Sequence, residues 1–186
     1  MDTFLMDYFD ELKRAMKYLG EQSNTKFIGQ SVVWDGHALF KSLVDVPMEK
    51  RIELPVFEDF QMGLSIGMAL EGIVPISIYP RADFLIIAAN QITNHLANIR
   101  KVSEGGYKPK IIIRTSVGAI EPLYPGPQHC QDHTEALKLL CRGEIEVVQL
   151  KSKYDILYAY YIAYTREDGK STILIEYCDL YHKVEA

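Results

Sequence analysis

Cysteine and tryptophan are scarce in this sequence, which has three cysteines, Cys130, Cys141 and Cys178, and the single tryptophan Trp34 in 186 residues. No two cysteines form a CxxC pair and their number is odd. They support neither a complete disulfide framework nor a cysteine-based zinc site, and a reducing cytoplasm is the expected setting. Basic charge is short as well, 20 Lys and Arg against 25 Asp and Glu, for a net charge of −5. That balance offers no electrostatic attraction to nucleic-acid phosphates or to an anionic membrane surface. No uncharged apolar run approaches the ~20 residues needed to span a bilayer. The opening MDTFLMDYFDELKRAMKYLG mixes acids and bases and lacks the apolar core of a signal peptide. Phosphate signatures are missing too: there is no Walker loop, and no GxGxxG follows a strand. Gly63-Leu64-Ser65-Ile66-Gly67 spells GxSxG, but inside a helical pattern and not on a strand-to-helix elbow, so no serine nucleophile is read from it.

What the sequence does have is apolar periodicity, with 48% hydrophobic residues, enough for one sizeable core in a single domain over 1–186. Phe4, Leu5, Tyr8, Phe9, Leu12, Ala15, Met16 and Leu19 recur on one side of a helix ending near Gly20. Short apolar runs predict strands over 26–33, 51–56, 73–78, 111–114, 145–150 and 171–176. A helical turn closed by Pro47 and helices over 58–70, 83–99, 133–141 and 153–165 fall between them. Strands alternating with helices predict an α/β fold, a mostly parallel sheet with helices on both faces. In such sheets ligands sit beyond the carboxyl ends of the strands, where Glu58, the segment 79–84 and the Pro- and Gly-rich segment 114–129 would cluster.

Three side chains there have chemistry to offer, and each has a plainer alternative. Glu58 follows an apolar strand and opens a glycine-containing helix, where an ordinary first-turn carboxylate is also favoured by the helix dipole. Asp83 on its position alone reads first as an N-cap beside a core aromatic, Phe84. His129 ends the long loop and reads equally as a loop residue before a helix. Gln128-His129-Cys130-Gln131-Asp132-His133 has no metal-ligand spacing, so no metal is expected on this chain.

Several motifs in fixed order carry a resemblance. The run Leu54-Pro55-Val56-Phe57-Glu58, the glycine-rich segment to Gly72 and then Pro75 resemble the TPxxE, helix and GxxP pattern of 2-oxo-acid dehydrogenase E1 beta subunits. Phe84 with Asn90-Gln91-Ile92-Thr93-Asn94 resembles an aromatic followed by DQIxN. Glu104-Gly105-Gly106, Ile111-Ile112-Ile113-Arg114, Gln128-His129-Cys130-Gln131 and Thr172-Ile173-Leu174-Ile175-Glu176 resemble SGG, IVxR, QHSQ and PVVVxE.

The resemblance implies the thiamine-diphosphate-binding fold in its transketolase-like pyrimidine-domain form. It implies that Glu58 hydrogen-bonds the cofactor's pyrimidine and promotes the imino tautomer, whose nitrogen takes the thiazolium proton. A carboxyl group in a partly apolar cleft suits that role. By the same resemblance Phe84 stacks on the aminopyrimidine, Val56 forms an apolar wall beside it, His129 faces substrate, and Arg114 shapes the loop after its strand. No GDG with a following Asn-containing stretch occurs, so magnesium and the diphosphate are expected on a separate alpha-like chain, in a heterotetramer with two copies of each. In the family a C-terminal domain of comparable scale follows. The implied reaction is decarboxylation of a 2-oxo acid, or acyl or ketol transfer. The alternative is a non-catalytic binding or regulatory module that retains the fold. Tyr79-Pro80-Arg81 and the segment 121–125 depart from the family pattern near the mouth of the site.

Overall fold

The computed structural model describes residues 7–121 and 124–181. Phe4 and Leu5 of the first predicted helix, and Pro122 and Leu123 of the long loop, lie outside these residues.

Helix α1, Tyr8–Glu21, starts where the Asp7 side chain accepts the Asp10 N–H, and Tyr8, Leu12, Ala15, Met16 and Leu19 form its buried stripe. There follow β1 (Thr25–Gly29), α2 (Ala38–Lys41), β2 (Arg51–Glu53), α3 (Glu58–Leu70), β3 (Val74–Tyr79), α4 (Ala82–Leu85), α5 (Ile99–Val102), β4 (Ile112–Val117), α6 (Thr134–Cys141), β5 (Glu146–Gln149), α7 (Lys153–Thr165) and β6 (Thr172–Tyr177). The strands form one sheet in the order β2-β1-β3-β4-β6-β5, and every neighbouring pair is parallel. All of β3 and β4 is buried, as continuous apolar runs in a sheet covered on both faces require. On one face Leu12, Met16, Ile156 and Tyr160 pack over Ile76, Ile112 and Leu174. On the other, Met62, Ile66, Ile92 and Leu137 pack over Ile113 and Ile173. The chain leaves β1 toward β2 and then crosses to β3 on the other side, so a crevice opens at the carboxyl ends of β1 and β3.

Three elements differ from their apolar pattern, and the first is the run 51–56, a strand only over Arg51–Glu53. The run 26–33 is a strand only to Gly29, because the Glu53 carboxylate accepts the N–H groups of Ser31 (2.8 Å), Val32 (2.8 Å) and Val33 (2.6 Å) and draws the chain into a loop. Gly29 has φ 138°, and a Cβ there would lie 2.2 Å from the Ile78 carbonyl oxygen, so β1 must end in glycine. The predicted helix over 83–99 is broken into α4, a tight turn at Ile86–Ala88, a π-helical turn at Gln91–Leu96 and α5. Side chains there compete for backbone acceptors: Thr93 Oγ1 donates to the Ala89 carbonyl at 2.7 Å and Asn98 Nδ2 to that of Thr93 at 2.9 Å. Among the described residues no helix is long and apolar enough to cross a membrane.

Mid-sheet, Arg114 and Glu176 form a fully buried bidentate pair, Nε to Oε1 at 2.6 Å and Nη2 to Oε2 at 3.0 Å. The Tyr160 and Tyr181 hydroxyls donate to the same carboxylate at 2.6 and 2.5 Å. Burial by itself would lower the Arg114 pKa; the Glu176 charge reverses this and raises it. Burial, together with the Glu176 charge, also holds both tyrosines far above the usual phenol range, so they remain donors. Breaking such a pair leaves an uncompensated charge in the interior. Glu176→Leu is therefore expected to cost about 3–5 kcal/mol, read as a lower urea midpoint at an unchanged slope.

His37 caps α2 by accepting the Leu39 N–H at its Nδ1, 3.3 Å away, which requires an unprotonated nitrogen. Burial, with help from the Arg81 and Arg114 charges, pushes its pKa down from 6.5 to about 4. The folded value lies below the unfolded one, so the unfolded chain binds more protons in between. This stabilisation is complete above about pH 6.5 and is lost as pH falls toward 4. His37→Asn keeps a capping oxygen without a titration. Urea midpoints measured from pH 7 to 4 are expected to fall less in this variant than in the parent.

Candidate functional site

The carboxyl edge of the sheet gathers the candidate residues. Glu58 is the first residue of α3 and is only 4% exposed. Among the described residues no side chain or backbone N–H donates to its carboxylate. Helix α3 is held in register against β3 by polar contacts one turn further on. Gln61 Nε2 donates to Ser77 Oγ at 3.1 Å and to the Ile78 carbonyl at 2.9 Å, and Ser65 Oγ donates to Ser77 Oγ at 2.9 Å. At the start of the helix the Tyr79 hydroxyl reaches the Glu58 carbonyl at 3.4 Å. Burial keeps that phenol well above its ordinary pKa and hence a donor.

Phe84 lies in α4, and His129 in a tight turn at Pro127–His129, at the end of the long loop. The fold brings these two together: their rings meet edge to face with centroids 5.4 Å apart. His129 Nδ1 is buried and has no hydrogen-bond partner among the described residues. Val56 is 78% exposed and the neighbouring Phe57 and Phe60 are more than half and half exposed, their rings stacked on each other at 6.0 Å. An apolar, aromatic face thus adjoins Glu58 and stays uncovered in this chain. Gly67, on the same helix, has nothing within 4 Å of where a Cβ would stand.

Two sequence expectations change in the structure. Asp83 does not cap α4, whose N-cap residue is Arg81 with no capping side chain. Its Oδ1 instead accepts the Gln131 backbone N–H at 3.1 Å and Gln131 Nε2 at 3.2 Å. Arg114 does not shape the following loop directly; it points into the core pair with Glu176. The residue that does touch the loop is Arg81, whose Nη1 donates to the carbonyls of Gly118 at 3.0 Å and His129 at 2.8 Å. Arg81 was visible in the sequence only as a departure from the family pattern, and nothing in its spacing pointed to these acceptors. Among the described residues no group of three His, Cys, Asp or Glu could hold a metal ion.

Curated proteins provide the comparison. The 2-oxoisovalerate dehydrogenase subunit beta of Bacillus subtilis is 27% identical over 158 residues, 81% of this chain and 46% of that protein. The pyruvate dehydrogenase E1 component subunit beta of Gracilaria tenuistipitata is 32% identical over 127 residues, 66% of this chain and 39% of the relative. The mitochondrial pyruvate dehydrogenase E1 component subunit beta of Saccharomyces cerevisiae is 30% identical over 134 residues, 70% of this chain and 36% of the relative. No family model matches. The chain spans less than half the length of these relatives. With its all-parallel six-stranded sheet flanked by helices, as in a pyrimidine-type domain, the chain is a relative of the beta subunits of 2-oxo-acid dehydrogenase E1 components.

Proposed function

We propose that this chain is the pyrimidine-binding half of a thiamine-diphosphate site that a separate chain completes. The observation that carries this reading is the placement of Glu58: a residue only 4% exposed, at the carboxyl edge of a parallel sheet, beside an uncovered apolar face, with no donor to its carboxylate among the described residues. Its carboxyl group is therefore free to take a hydrogen bond from a ligand. A ring nitrogen of an aminopyrimidine fits, with the Phe84 ring as a stacking surface and His129 held against its edge.

In this reading Glu58 shares a proton with the pyrimidine, Phe84 positions it, Val56 lends apolar surface, and His129 faces the substrate. Thiamine diphosphate, when bound, supplies the carbanion chemistry, and the protein places and polarises it. Magnesium and the diphosphate belong on the partner chain. The substrate is a 2-oxo acid or a ketose, processed by decarboxylation or by acyl or ketol transfer.

Two measurements bear on this. In the assembled complex, exchange of the thiazolium carbon's proton can be followed by NMR in deuterated water. Glu58→Gln keeps the shape but loses the acid, so exchange is expected to slow by roughly 10²–10⁴-fold. Phe84→Ala should instead raise the cofactor concentration needed for half-activity. An unchanged exchange rate in Glu58→Gln would favour the other reading, a binding or regulatory module that keeps the fold without turnover.

The partner face is tested separately. The exposed Phe57 and Phe60 rings and the open Gly67 position on α3 give a second helix room to approach closely. The proposed assembly is a heterotetramer with two copies of each chain, a closed two-fold arrangement. Phe60→Asp places a charge in the middle of that face, and light scattering of the co-expressed pair is expected to show separate chains, while the unmixed variant retains the parent's thermal midpoint.

A further inference from the structure

His129 presents a puzzle of support. A histidine that works on a substrate needs its ring held, commonly by a hydrogen bond to the far ring nitrogen. Here Nδ1 is buried and has no such partner among the described residues. Among the described residues the ring has one aromatic neighbour, Phe84, and an edge-to-face contact of this kind contributes only about 0.5–1.5 kcal/mol. What holds His129 is its backbone, and the hold comes from the β3–α4 junction.

We infer that Arg81 and Asp83 are positioning residues, a clamp that fixes the loop on both sides of His129 and so aims its ring at the site. Arg81 gives two N–H groups of one nitrogen, Nη1, to the carbonyls of Gly118 and His129, which stand at opposite ends of the loop. A single side chain thereby closes it. Asp83, two residues on, takes the backbone N–H and side-chain amide of Gln131 with one oxygen. Residues 129 and 131 are thus held from one short stretch of chain, and Phe84, which supplies the ring that meets His129, follows directly.

Other ties close the loop without reaching the histidine. Cys130 Sγ donates to the Ala119 carbonyl at 3.5 Å, and the Ile120 N–H donates to Asp179 at 2.8 Å. Neither comes from the β3–α4 junction. Besides the direct ring contact, among the described residues the Arg81 and Asp83 hydrogen bonds couple the backbone at His129 and Gln131 to the stretch of chain that carries Phe84.

The proposal rests on the reading of His129 as the substrate-facing group, and its test keeps the two apart. On the chain alone, with ¹³C-labelled histidine assigned through His129→Gln, Arg81→Met and Asp83→Ala are expected to broaden and shift the His129 ring signals. Amide exchange at Gln131 should rise roughly 10-fold, the factor a lost hydrogen bond of average strength gives. Amides of α3 and β3 should keep their protection. Asp83→Asn retains the accepting oxygen and should restore parental exchange, which a merely destabilised fold would not. In the assembled complex, kcat/KM for pyruvate or 2-oxoisovalerate should fall on the order of 10²-fold in Arg81→Met, as small misplacements of a reacting group do. Exchange at the thiazolium carbon should stay at the parental rate.

Unmoved His129 signals and unchanged Gln131 exchange in both loss variants would overturn the clamp. A loop that loosens as described, combined with parental thiazolium exchange in Glu58→Gln, would leave the clamp standing and sink the cofactor reading. If Arg81→Met does not fold, the contrast between Asp83→Ala and Asp83→Asn decides the matter.

Discussion

A parallel sheet buried on both faces leaves polar chemistry very little room. The faces of β3 and β4 are fully covered, and the helices that cover them spend their apolar sides on that packing. Because all six strands run the same way, each strand delivers its following loop to the same edge. Glu58, Phe84, Arg81, the long loop and His129 therefore lie along one edge of the sheet although they follow three different strands. The reversal of strand order between β1 and β3 opens a crevice there. The constraint is topological, and the site is its consequence.

Charge inside the molecule is treated in two opposite ways. Glu176 is saturated, with a bidentate guanidinium and two phenols on one carboxylate. Such an arrangement ties β4, β6, α7 and the segment after β6 together through directional contacts that apolar packing lacks. Removing one member leaves the others stranded in a medium that cannot solvate them. The Glu58 carboxylate also belongs to a little-exposed residue, but it stands at the sheet edge and takes no donor among the described residues.

The likeness to E1 beta subunits covers most of this chain but under half of each relative named here. Arg81 lies where the sequence departs from the family pattern, and together with Asp83 it binds the loop that carries His129.

Much of the framework was legible in the sequence because it is local. Period-3.6 stripes marked α1, and helices 58–70 and 153–165 emerge with the bounds that their apolar patterns predicted. The uninterrupted apolar runs of β3 and β4 marked strands buried on both faces, and the order of short motifs placed Glu58 at the start of its helix. Other features had no local signal. The break in the helix over 83–99 depends on whether Thr93 and Asn98 find backbone acceptors, and the loop at 30–36 depends on a glutamate 20 to 22 residues away. The Arg114–Glu176 pair spans 62 residues and the Arg81–His129 contact 48. Periodicity reports which side of an element is apolar. It carries no information on which polar group at one edge meets which at another, because that is decided only when the loops of separate strands are brought together in space.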